Sequence, residues 1–165
     1  MNIKNKLIDL TPEIWGVVEY LGETGVLDIK DAKAAIKEVA IKRMDFAEYW
    51  LNLAKSLSSN NTMVRNVIGR AYYGMYHAAR AAVYIHKRLD VTEHRALVKQ
   101  FKKVLKKKYD DDTLGETLND WRILRIECDY NPFISNASLS NKLCDMAIAD
   151  CESIINICKN IMEEL

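Results

Sequence analysis

Proline and glycine are scarce: the 165 residues contain only 2 of the first and 6 of the second. An all-β domain of this length needs many more turn residues, so the scarcity favours helices. No apolar run approaches the ~18 residues of a membrane-spanning helix, which argues against a membrane protein. The opening residues, rich in Asn and Lys before Leu7-Ile8-Asp9-Leu10, hold no apolar signal-peptide core, so secretion is not expected. The 4 cysteines then read as reduced thiols of a cytoplasmic protein. A content of 49% hydrophobic and 28% charged residues is that of a globular chain and excludes wholesale disorder.

The net charge of +1 conceals a polarised distribution. Residues 62–109 hold 12 of the 24 Lys and Arg but only two acids, Asp90 and Glu93. A partner that meets the middle third of the chain therefore meets a basic surface.

Apolar spacing divides the chain into helices. Thr11 and Pro12 read as the cap and first residue of a short helix ending near Gly22, with residues 23–28 a loop. Ile29, Ala32, Ile36, Val39, Phe46, Trp50, Ala54 and Leu57 recur at three- and four-residue steps and define the buried side of a long helix. Ser58-Ser59-Asn60-Asn61 breaks it. A second long helix is expected from about Thr62 to Lys87. Its small residues Gly74, Ala78 and Ala82 permit close approach of a neighbour. A basic helix follows from about Glu93 to Tyr109. Thr113 and Glu116 then read as a capping box for a helix reaching Tyr130, which Asn131-Pro132 stops. The last helix is expected from about Ser138 to the end, with Cys144, Cys151, Cys158 and Leu165 repeating every seven residues as a packing seam. Successive cysteines of this seam lie ~10.5 Å apart along a helix, too far to share one zinc ion. Residues 1–35 form an N-terminal extension with a short helix, and residues 36–165 one helical domain.

Four features bear on chemistry. The basic helix carries Arg95, Lys99, Lys102, Lys103 and Lys106 with no acid inside it, a pattern suited to phosphates as well as to a solvated face. Arg70 and His77 lie two turns apart on one face of their helix; they read as a phosphate clamp beside a titratable imidazole, or as packing. Arg122, Arg125 and Asp129 share a face at steps of three and four, expected to be exposed, with Tyr130 at the helix end. Asp110-Asp111-Asp112 reads as helix capping, and neither a metal nor another cofactor is expected.

The segment Arg70-Ala71-Tyr72-Tyr73-Gly74-Met75-Tyr76-His77-Ala78-Ala79-Arg80-Ala81 closely resembles the second-helix signature of HEPN domains (higher eukaryotes and prokaryotes nucleotide-binding). His94 opening the next helix agrees with it. So does Arg125-Ile126-Glu127-Cys128-Asp129-Tyr130, similar to the Arg…Asp-Tyr signature of the stand-alone archaeal and bacterial branch. The resemblance covers about residues 38–160. It implies an all-α, up-and-down four- or five-helix bundle, here with an extra N-terminal helix, that usually pairs as a homodimer. It also implies RNA or nucleotide binding, as the toxin-like half of a toxin–antitoxin pair whose partner is a minimal nucleotidyltransferase. In such pairs the tyrosine at the position of Tyr130 receives a nucleotide from the partner.

Active members are metal-independent ribonucleases with an arginine, four to six residues, then a histidine placed two before the tyrosine. Here that place is Cys128, with five residues between it and Arg122, and a protonated thiol is a poor general base. Two alternatives stay open: a ribonuclease built on Arg122 or Arg125 with Asp129 and Tyr130, or on His77; and a non-catalytic dimerisation protein. A homodimer is expected because the cysteine seam, the Tyr72–Tyr76 cluster and Trp121 exceed what one slim bundle needs.

Overall fold

The computed structural model describes residues 7–59, 63–134 and 139–163. It contains six helices: α1 (Pro12–Glu23), α2 (Ile29–Ser58), α3 (Val64–Lys87), α4 (His94–Tyr109), α5 (Thr113–Tyr130) and α6 (Asn141–Glu163), with no strand among the described residues. The expected break at Asn60-Asn61, the helix starts at Thr62 and Ser138, and the seam residue Leu165 lie outside the described residues.

Local chemistry explains three of the helix starts. Thr11 Oγ1 accepts from the Ile14 amide at 3.3 Å with Pro12 behind it, and Asp28 Oδ1 accepts from Lys30 at 2.8 Å to start α2. The Glu93 carboxylate takes the amides of Arg95 and Ala96 and starts α4. The capping box expected at Thr113 does not form. Thr113 is already helical, Asp111 Oδ1 accepts its amide at 2.9 Å, and Glu116 is drawn away by Lys102 of α4. An ion pair between helices thus displaces a local cap.

Helix α3 is the axis of the fold, with α2, α4, α5 and α6 packed around it. Between Asn66 and Arg80 only Asn66, Arg70, Tyr73, His77 and Arg80 escape full burial, a single stripe at steps of four and three. Gly74 seats α3 against two neighbours: a Cβ there would fall 2.6 Å from Cys151 Sγ of α6 and 3.2 Å from the Ala47 carbonyl of α2. Cys144, Cys151 and Cys158 are buried free thiols. Burial pushes Cys151 up to about 12.

Two expectations about packing are corrected. Phe46 was placed on the buried side of α2, yet its ring is exposed; the core positions are instead Ala32, Ala35, Ile36, Ala40, Met44, Ala47, Leu51 and Ala54. Five of these eight are alanine, which lets α2 lie close against α3, and the aromatic rings fan out at the rim. The supposed apolar surplus is also consumed within one chain. The seam cysteines, Tyr72, Tyr76 and Trp121 are all buried, and Trp121 Nε1 donates to Asp150 of α6 at 2.8 Å. The reason given for a dimer therefore disappears.

The N-terminal segment is tied into the bundle. Leu7 and Leu10 are buried, and the carbonyls of Leu7, Ile8 and Leu10 accept from Tyr84 Oη (2.5 Å), Arg43 Nη2 (2.9 Å) and the Asp90 amide (2.7 Å). Beneath it Asp90 receives Arg80 through two bonds of 2.8 and 2.6 Å, and Arg43 Nη1 lies 3.0 Å away as an ion pair without hydrogen-bond alignment. Helix α2 runs unbroken through residue 35.

Candidate nucleic-acid interface

Two surfaces carry the residues singled out from the sequence, and α5 joins them. The first is a groove of about 470 Å³ between α4 and α5. Arg95, Lys99, Lys102, Lys103 and Lys106 all line it, with Asp112, Glu116 and Asn119 on the opposite wall. The expected freedom from acidic partners is corrected here. Lys102 pairs with Glu116 and lies 3.6 Å from Asp112, while Lys106 pairs with Asp110 at 2.9 Å. Arg95, Lys99 and Lys103 have no ion pair among the described residues. These three are the cations left to a ligand.

The second surface is built on the α3 stripe. Tyr73, which the sequence reading did not single out, is its hub. Arg125 Nη2 of α5 donates to Tyr73 Oη at 2.7 Å, and the guanidinium lies 5.2 Å from the Tyr73 ring centre and 5.9 Å from that of Tyr130. Asp129 Oδ2 sits 2.8 Å from Arg125 Nε as a charge contact without hydrogen-bond alignment. On the other side, Trp50 of α2 packs 5.5 Å from Tyr73 and carries Arg70 over its ring at 5.1 Å. His77 stands edge-on to Phe46 at 4.6 Å and to Tyr76 at 5.1 Å.

Arg122, Arg125 and Asp129 do share a face, but only its Asp129 end is exposed as expected. Arg122 is only 9% exposed and donates from Nε and Nη2 to Asn119 Oδ1. The Arg122 end of the face turns inward because α5 packs on α3 and α4; Tyr73 of α3 accepts from Arg125, and Asn119 of α5 itself accepts from Arg122. Arg125 and Asp129 meet; Arg122 is held one turn away by its own partner. Arg70 and His77 do not converge: Tyr73 separates them, and each is engaged by a different α2 ring. Tyr130 is 72% exposed at the end of α5.

Cys128 is 2% exposed, and burial pushes its thiol up, so it supplies no thiolate at the position the family gives to histidine. Another imidazole lies nearby. His94, the first residue of α4, has its Nδ1 2.6 Å from Tyr72 Oη and its ring 4.5 Å from that of Tyr76. Burial, together with the charges of Arg125 and Arg122, lowers its pKa. Among the described residues no group of three His, Cys, Asp or Glu side chains is arranged to hold a metal ion, and no helix is long and apolar enough to cross a membrane.

The site reached further than periodicity could. Tyr73, Trp50 and Phe46 share no helix with Arg125, and only the Tyr72-Tyr73 pair inside the recognised segment pointed towards them. Comparison with curated proteins returns no match. The family model described as HEPN domain matches residues 40–161, which takes in α3, α4, α5, nearly all of α6 and the C-terminal two thirds of α2. An all-helical bundle with that match over most of its length places the chain in the HEPN domain family.

Proposed function

We propose that this protein binds RNA or a nucleotide along the α4 ridge, as the toxin-like half of a pair with a minimal nucleotidyltransferase. HEPN membership supports a nucleotide- or RNA-related function in general. The observation that carries the finer reading is the set of unpaired cations, Arg95, Lys99 and Lys103, on the α4 wall of the groove, faced across it by Asn119, which holds Arg122 of α5. A partner with regularly spaced negative charge fits such a ridge, since each neutralised phosphate releases counterions. Tyr130 supports the second half of the reading. Its phenol is exposed beside the oriented Arg125, where a partner enzyme can reach it.

A homodimer belongs to the same proposal, on other surfaces than first expected. Ile123, Ile126, Tyr130 and Phe133 form an exposed apolar run at the end of α5, next to Arg125. Two copies meeting there bring two Arg125 side chains together without disturbing the core.

The ridge is tested by fluorescence anisotropy with single-stranded RNA across a salt series. Each phosphate contact contributes roughly −0.7 to the log–log slope, so three cations contribute about −2. Replacing Arg95, Lys99 and Lys103 by glutamate is expected to abolish binding and leave the helical circular dichroism unchanged. Equal affinity in the triple variant overturns the proposal.

A further inference from the structure

His94 stands where the α4 ridge meets the arginines of α5, and its protonation is settled by a neighbour in the core. Tyr72 is 1% exposed, and its oxygen has one hydrogen-bond partner among the described residues, His94 Nδ1 at 2.6 Å. A buried phenolic O–H must donate to an acceptor, and the neighbouring Tyr76 hydroxyl is already committed to the Thr92 carbonyl at 2.9 Å. The Tyr72 proton therefore points at Nδ1. Nδ1 is then an acceptor without hydrogen, and the ring carries its proton on Nε2.

Nε2 has no protein partner among the described residues, and it is not shut away from solvent. The next residue is Arg95, and Lys99 follows one turn later. From the far side, the positive charges of Arg125 and Arg122 act on the ring.

We infer that the Tyr72–His94 pair is a phosphate subsite: the buried phenol fixes the tautomer whose Nε2–H donates to a phosphodiester oxygen, between the α4 cations and the arginines of α5. A neutral donor suits this place. An imidazolium beside Arg122 and Arg125 adds like charge, whereas a neutral N–H adds a directed bond at no such cost. Burial and those arginines depress the His94 pKa against the opposing charge of Glu93, which keeps the ring in the donor form near neutrality. This assignment rests on the RNA-binding reading above for its ligand, but the subsite itself needs only an anionic phosphate oxygen.

Two measurements separate the subsite from that reading. In protein labelled with 15N at histidine, the 3 imidazoles are distinguishable by substitution. His94 is expected to show the Nε2–H tautomer, and titration with inorganic phosphate to shift its Nε2 signal ahead of those of His77 and His86. Tyr72→Phe removes one oxygen and is expected to release the fixed tautomer with the other two histidines unchanged. In the RNA assay, His94→Asn keeps an amide near the position of Nδ1 but none near Nε2, and is expected to weaken binding about tenfold. His94→Gln places an amide donor near Nε2 and is expected to recover most of that loss. Phosphate that leaves His94 unmoved, with His94→Asn binding RNA as the parent does, overturns the subsite and spares the RNA reading. A parent that binds no RNA but whose His94 Nε2 shifts with phosphate overturns the RNA reading and upholds the subsite.

Discussion

At His77 two forces act in the same direction. The ring is packed among Phe46, Tyr76 and the stem of the α3 stripe, and burial pushes its pKa down, helped by the charges of Arg80 and Arg43, to about 4. The unfolded chain titrates near 6.5. Between those values the unfolded state takes up a proton that the folded state refuses, so this contribution is whole above 6.5 and is lost as pH falls towards 4. From neutrality to about pH 5 the loss attributable to His77 reaches about 2 kcal/mol. Urea unfolding at the two pH values is expected to show it, and His77→Phe to flatten that part of the profile. An unchanged profile in the variant counts against the assignment. The same residue illustrates why part of the site was not legible in the sequence. Spacing put Arg70 and His77 on one face correctly, but a face does not say which ring from another helix will occupy it.

Element boundaries were legible wherever the deciding contacts are local. Thr11 with Pro12, and Asn131-Pro132, act within a few residues and did as their chemistry dictates. Thr113 and Glu116 failed because the competing partner, Lys102, lies on a different helix. The Arg125–Tyr73 bond spans 52 positions, and no periodicity within α5 could point to it. Close packing of α3 is a matter of the same scale. Gly74→Ala puts a methyl group into Cys151 Sγ and the Ala47 carbonyl, neither able to retreat without moving a helix. A loss of about 1–3 kcal/mol is expected, read as a lowered midpoint in thermal or urea unfolding. Gly69 lies one turn earlier, and a Cβ there meets nothing within 4 Å. Gly69→Ala is expected to be stabilising by roughly 0.5–1 kcal/mol, because only the helix propensity changes. Equal effects of the two substitutions would show that α3 does not seat as described.

At the level of the whole molecule, charge is sorted between elements. Helix α4 carries the cations; Asp110 at its own C-terminal end pairs with Lys106 and Glu116 of α5 with Lys102, leaving Arg95, Lys99 and Lys103 open. The opposite end leads to Arg125 and the exposed Tyr130, the place where a partner enzyme would act. Co-expression with a minimal nucleotidyltransferase is expected to add the mass of a nucleotide to the protein, and Tyr130→Phe to abolish the gain. A gain that survives this substitution, or none in the parent, removes Tyr130 from the proposal.

The segment from Leu7 to Leu10 is held by partners 35, 77 and 80 positions away. Closing such long loops costs entropy, so the segment is expected to dock after α2 and α3 have paired. It is also expected to detach without dismantling them. The Asp90 amide, bonded at 2.7 Å to the Leu10 carbonyl, is therefore a built-in gauge: its hydrogen exchange follows undocking of this one strap, while the amides of α3 follow the opening of the bundle itself.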